Sequence, residues 1–203
     1  MLTRWDDWYS NNNLRRDKRI LAAPPSHSAE IAAGEFLKRG KHCILDLACG
    51  VGRDTFYLEK RGLSVTGADA ALNGAKAAGK TRSALGANAQ FTVADARHLP
   101  FENGRFDGVY CFGLLHEFTG EHKTDDVKKV ISEARRVLST QGILILTVLA
   151  GDPQTGFPAV QLFSRPMFEQ VMVDWHLIEL KLFDDIGCTN RADYAIWHGL
   201  FEK

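Results

Sequence analysis

The run Ile44-Leu45-Asp46-Leu47-Ala48-Cys49-Gly50-Val51-Gly52-Arg53-Asp54 joins an apolar segment to an acid and two closely spaced glycines. It reads as a strand, a tight loop and a helix start. Glycines so placed let the backbone approach a ligand, and the first helical turn beyond them presents unpaired N–H groups to it. That chemistry suits a nucleotide. Two more acids follow at predicted strand ends, Asp69 in Val65-Thr66-Gly67-Ala68-Asp69-Ala70 and Asp95 in Phe91-Thr92-Val93-Ala94-Asp95-Ala96. A carboxylate about 20 residues past the glycines can accept hydrogen bonds from both ribose hydroxyls. Taken singly, either acid also fits a strand-end turn or a helix cap.

The elements that must position these residues alternate. A polar N-terminal segment precedes a predicted helix over Ser28–Arg39, with Ser26 or Ser28 as cap and Gly40 as terminator. Strands at His42–Leu47, Ser64–Ala68, Gln90–Ala94, Phe106–Cys111 and Gly142–Leu149 are interleaved with helices at Arg53–Arg61, Ala71–Leu85 and Asp125–Leu138. This succession implies a mostly parallel, doubly wound α/β sheet with ligands at the carboxyl ends of its strands. Beyond Gly151 come a loop to Pro158, a short helix near Pro166–Val173, and two apolar runs, His176–Phe183 and Ala192–Phe201, spaced to pair as an antiparallel hairpin.

At 203 residues the chain fits one domain of ordinary size, and 45% hydrophobic with 25% charged residues suits a globular fold. The longest apolar run, Ile143 to Ala150, is far short of the roughly 20 residues a bilayer span needs, and the N-terminus lacks the apolar stretch of a signal peptide. Lys plus Arg and Asp plus Glu are 25 each, which disfavours a polyanionic partner such as nucleic acid. The cluster Arg15, Arg16, Lys18 and Arg19 reads as a solvated face. Cys43, Cys49, Cys111 and Cys188 form no Cys-x-x-Cys pair and the histidines no zinc spacing, so reduced thiols, a cytoplasmic location and no metal are expected.

A dinucleotide fold would place glycine or alanine where Thr55 stands, and a phosphate-binding P-loop would need a Gly-Lys-Ser/Thr that is missing. Asp-Leu-Ala-Cys-Gly-Val-Gly instead resembles the first motif of class I S-adenosylmethionine (SAM) dependent methyltransferases. The resemblance continues through the segments ending at Asp69 and Asp95, through Phe106-Asp107-Gly108-Val109-Tyr110-Cys111-Phe112-Gly113-Leu114-Leu115-His116, and through Arg135-Arg136-Val137-Leu138 with Gly142-Ile143-Leu144-Ile145. It implies a Rossmann-like seven-stranded sheet with a C-terminal antiparallel hairpin and SAM as cofactor. A single domain over 1–203 follows, with an N-terminal lid segment (1–26), a SAM-binding core (27–150) and a substrate-side loop and hairpin (151–203). The implied cofactor residues are Tyr9, Asp46, Ala48, Cys49, Gly50, Gly52, Arg53, Asp54, Asp69 with Ala70, Asp95 with Ala96, and Cys111 with Phe112. Ala48 departs from the glycine of many relatives, and its methyl is expected to be tolerated if the local φ is negative. Arg53-Asp54 and the opening Arg4-Trp5-Asp6-Asp7-Trp8-Tyr9 resemble the thiopurine and tellurite-resistance branches, where the aromatic segment folds over the cofactor as a lid. An aromatic lid excludes water and offers cation–π contact to a sulfonium; the alternative is a simple anchor for the chain end.

The acceptor is expected to be a small molecule. The Asp/Asn-Pro-Pro-Tyr/Phe motif of enzymes that methylate exocyclic amino groups of nucleobases is replaced by Cys111-Phe112-Gly113-Leu114. His116, in Leu115-His116-Glu117, could take a proton from a hydroxyl or thiol, or be a capping or packing histidine. With one candidate base, a thiol, metalloid or other soft nucleophile is favoured, since a thiol of pKa about 8.5 is partly ionised at neutral pH. The acceptor wall is expected from the N-terminal segment, the loop after His116 and the stretch from Gly151 to Pro166, with Phe157, Phe163 and Arg165 as contacts. Two alternatives remain: a C-, O- or N-methyltransferase of quinone or secondary metabolism, and a non-catalytic SAM-binding regulator. Nothing in the sequence sets the oligomeric state.

Overall fold

The computed structural model describes residues 2–9, 21–152, 160–183 and 195–203. The basic cluster at 15–19, Phe157 and Cys188 lie outside them. Seven strands form one sheet in the order β3-β2-β1-β4-β5-β7-β6. They are β1 (Cys43–Leu47), β2 (Ser64–Asp69), β3 (Gln90–Val93), β4 (Phe106–Cys111), β5 (Leu138–Leu149), β6 (His176–Phe183) and β7 (Ile196–Glu202). The first five run parallel, and β7 is antiparallel to both β5 and β6. This is the expected Rossmann-like sheet with its C-terminal antiparallel pair.

Six α-helices lie among the described residues: α1 (Leu2–Tyr9), α2 (His27–Lys38), α3 (Arg53–Lys60), α4 (Leu72–Leu85), α5 (Lys123–Val137) and α6 (Arg165–Val171); a single 3₁₀ turn, Leu115–Glu117, lies between β4 and α5. Ser26, rather than Ser28, caps α2, its Oγ accepting from the Ala29 N–H at 3.0 Å. β5 begins at Leu138, earlier than the predicted Gly142, because buried Leu138 leaves α5 directly into pairing with Phe106.

Alternation along the central strands feeds two cores, one on each face. Ile44, Val65, Tyr110 and Ile145 pack under α2 and α3 with Ala29, Ala33, Phe36 and Leu58. Leu45, Val109, Leu144 and Leu146 pack against Val130, Ile131 and Ala134 of α5 and Phe168 of α6. Strand order reverses between β1 and β4, so the loops leaving their carboxyl ends diverge and open a crevice between them. Among the described residues no helix is long and apolar enough to cross a membrane.

Candidate functional site

At that crevice lies a cavity of about 350 Å³. Of the residues singled out in the sequence, Tyr9, Asp46, Ala48, Cys49, Gly50, Arg53, Asp54, Asp69, Ala70, Asp95, Ala96, Phe112 and His116 line it. Gly52 and Cys111 do not. Gly52 is the left-handed N-cap of α3, against Phe56 and Phe91, and Cys111 is buried in the core on the α5 side.

Asp46, only 3% exposed at the end of β1, accepts a hydrogen bond from Thr55 Oγ1 at 2.5 Å. Thr55 thus has a role where a dinucleotide fold would have needed a small residue. Burial lifts the Asp46 carboxyl to about 7, against the opposing effect of the Thr55 bond. Cys49 is likewise pushed well up by burial and is no ready thiolate. Ala48 has φ +66°, so the condition of a negative φ under which its methyl would be tolerated without strain is not met. The chain turns left-handed there to bring the Ala48 and Cys49 N–H groups onto the Ala68 carbonyl at 2.8 and 3.2 Å, and an L-residue accepts the strain.

Asp69 ends β2 and fastens two loops. Its Oδ2 accepts from the Gly50 N–H and its Oδ1 from the Ala71 N–H, each at 2.8 Å. Burial raises its pKa while these two bonds lower it. Tyr9 of α1 reaches over the same loop: a Cβ on Gly50 would lie 2.6 Å from the Tyr9 hydroxyl, and one on Gly74 3.2 Å from its ring. Two glycines therefore make the notch that admits Tyr9 to the cavity wall, where Trp5 joins it.

Asp95 is held by Arg97, which donates its N–H and Nε to Oδ1 (2.9 and 3.0 Å) and Nη2 to Oδ2 (2.6 Å). These bonds keep the Asp95 carboxyl below its ordinary range. Asp54 is the hub of a buried network. It accepts from Ser26 N–H and Oγ–H at 2.9 and 2.7 Å, from Arg53 Nε and Nη2 at 2.8 and 3.0 Å, and from the Tyr110 hydroxyl at 3.2 Å. It thereby fixes Arg53, whose guanidinium lies 6.0 Å from the centre of the Phe112 ring. Ser26 was legible only as a helix cap and Tyr110 only as part of its strand segment; no site role was read for either, nor for Arg97. Only Arg97 left a local signal, its place two residues after an Asp, the spacing of an Asp side chain that accepts from backbone.

The cavity also has apolar lining, from Phe112, Leu114, Phe118, Leu149 and Ile196. His116, 8% exposed, sits on the 3₁₀ turn; its carbonyl accepts from Gln161 N–H at 2.7 Å and its Nε2 lies 3.6 Å from Glu117 Oε1. Beneath the turn, Gly113 N–H donates to Thr147 Oγ1 at 3.1 Å. Two expected contacts are corrected. Phe163 is fully buried in the core, paired with Ala150, and Arg165 is an exposed residue bonded to Glu169. Neither lines the cavity. Among the described residues no group of His, Cys, Asp or Glu is arranged to hold a metal.

Residues 45–146 match the methyltransferase domain family. The chain belongs to that family. It is 37% identical over 150 residues to an uncharacterised methyltransferase of Synechocystis, covering 72% of this chain and 66% of that one. It is 33% identical over 138 residues to a demethylmenaquinone methyltransferase of Thermus thermophilus, covering 67% and 59%. The match thus spans two thirds or less of these relatives' own length. In fold it resembles the PH0226 protein of Pyrococcus horikoshii (TM-score 0.69, 22% identity, 94% and 92% covered). It also resembles a Burkholderia thailandensis 1,6-didemethyltoxoflavin-N1-methyltransferase solved with S-adenosylhomocysteine (SAH) (TM-score 0.66, 17% identity, 87% and 78% covered). SAM is the cofactor of such a methyltransferase, and the cavity's donors and acceptors fit it. Asp69 and buried Asp46 both present carboxyl oxygens to the cavity.

Proposed function

We propose that this methyltransferase moves the methyl group of SAM to a small, largely apolar acceptor that attacks through a thiol or another soft centre. The observation that carries the reading is one cavity lined both by the carboxyl groups of Asp46, Asp69 and Asp95 and by the apolar side chains of Phe112, Leu114, Phe118, Leu149 and Ile196, with His116 and Glu117 in its wall. When bound, SAM supplies a methyl on a sulfonium sulfur, open to in-line attack. The chain's own residues do the rest. Asp69 and the Gly50 loop seat the nucleoside, Asp46 and Arg53 face the charged amino-acid part, and Trp5 and Tyr9 exclude water. The apolar wall holds the acceptor's body, and such positioning can supply roughly 7–11 kcal/mol of barrier lowering. Arg53-Asp54 and the aromatic α1 support the thiopurine and tellurite-resistance type of branch.

A hydroxyl acceptor, as on a quinol, is the second reading, favoured by Glu117 beside His116. A carboxylate at that distance stabilises the imidazolium formed when His116 takes a proton, and general-base help is worth typically 10²–10⁴-fold.

Calorimetric titration with SAM, SAH and NAD, followed by SAH release with an aromatic thiol, tellurite and a hydroquinone, tests the reading. Micromolar binding of SAM and SAH alone and turnover of a soft acceptor are expected. Absence of SAM and SAH binding sinks it. His116→Ala then separates the acceptors: a loss below about tenfold marks a thiol, and one of about 10²-fold or more marks a hydroxyl.

A further inference from the structure

We propose that Arg97 is a positioning residue that ties the cofactor end of the cavity to the acceptor end; the proposal rests on the methyltransferase reading of that cavity. Its guanidinium addresses three groups at once. Nε and Nη2 hold the Asp95 carboxylate, Nη1 donates to Asp126 Oδ1 at 3.0 Å, and the cation lies 6.0 Å from the centre of the Phe118 ring. Asp95, Arg97 and Phe118 all line the cavity. Asp126 stands in the first turn of α5, and Phe118 directly follows the turn that carries His116 and Glu117. A planar fork is suited to this task, because it makes paired bonds in one plane while its face stacks on an aromatic ring.

The arrangement makes the position of Asp95 and that of the turn mutually dependent. A cofactor group bonded to Asp95 fixes that carboxylate. The fixed carboxylate then holds the guanidinium, which presses on Phe118 and steadies the turn. Cofactor binding is thus transmitted to the acceptor side without any residue touching both. Asp126 keeps the guanidinium from swinging away when Asp95 is displaced.

Hydrogen exchange read residue by residue tests this, with SAH as the probe and SAH affinity measured by calorimetry on the same samples. The amides to follow are Glu117 N–H and Phe118 N–H, which donate within the turn to the carbonyls of Leu114 and Leu115. In the parent, saturating SAH is expected to slow both several-fold. In Arg97→Met, SAH affinity is expected to fall roughly tenfold, and the slowing at the turn to vanish even at saturation. Arg97→Lys, which keeps the charge without the fork, is expected to recover affinity but not the slowing. A merely structural role speeds exchange equally with and without SAH and leaves the SAH-dependent difference intact. That result overturns the proposal, as does a loss of affinity with the slowing preserved. Failure of the parent to bind SAH removes the cofactor reading and this proposal together. Parent binding with no response at the turn removes this proposal alone.

Discussion

Asp6 of α1 caps a helix to which it does not belong: its Oδ1 accepts the Asn73 N–H in the first turn of α4 at 2.9 Å. α4 has Ala71 at its own N-cap and no side-chain cap, so the donor would otherwise look to water. Asn73 Nδ2 returns a bond to the Asp6 carbonyl at 3.3 Å, and Gly74 clears space for Tyr9. Ala71 at the cap of α4 and Gly74 inside it, both unfavourable for the helix alone, are thus explained by the docking of α1.

Removing that cap in Asp6→Ala is expected to cost about 1 kcal/mol of docking. Exchange of the Asn73 amide should rise roughly fivefold, by the matching free-energy factor, and SAH should dissociate faster as Trp5 and Tyr9 leave the cavity wall. Unchanged exchange at Asn73 would show that α1 contributes no cap in solution.

Ala48→Gly is expected to stabilise the protein. A left-handed L-residue costs roughly 1–2 kcal/mol, whereas glycine costs about 0.5–1 kcal/mol in unfolded-chain entropy, which leaves a modest net gain. Thermal unfolding should shift upward by a few degrees. A lower midpoint would mean that the Ala48 methyl contributes packing that outweighs its backbone strain.

The sheet was legible because Asp46, Asp69 and Asp95 each close an apolar run of strand length, and the runs alternate with helical ones. The cofactor end was legible for the same reason: its residues sit on the strand ends that define the motif. The sign of φ at Ala48 was not legible because alanine carries no mark of it; here it is set by tertiary hydrogen bonds to the Ala68 carbonyl. Phe163 and Arg165 were misplaced because their direction depends on how the chain after β5 crosses to α6, which no local pattern encodes. The bonds of Ser26 and Tyr110 to Asp54 escaped notice because that partner lies 28 and 56 residues away.

Asp69→Asn keeps the side chain's size but leaves one oxygen where two N–H groups converge. Gly50 N–H or Ala71 N–H then faces an amide NH₂. Loss of a charged acceptor is worth roughly 1–3 kcal/mol, so SAM affinity should fall by about tenfold to a hundredfold. Calorimetry at constant pH reads this directly. Parent-like affinity would place the ribose elsewhere in the cavity.

Asp46 links cofactor affinity to pH. Its carboxyl stands at about 7 in the folded protein against an ordinary 3.8, so between those values the folded state holds a proton that the unfolded state has lost. Stability from this group therefore falls as pH rises from near 4 to near 7, and stays level above. A cationic ligand beside Asp46 reverses the preference, because the carboxylate is then paired. SAM binding at pH 6 should release a proton, and affinity should tighten as pH rises through about 7 before levelling. Titrations in buffers of different ionisation enthalpy report the proton directly. Asp46→Asn, which can still accept from Thr55, is expected to lose both the proton release and the pH dependence and to gain stability over the parent at pH 8. Proton release that persists in the variant would assign the linkage to another group.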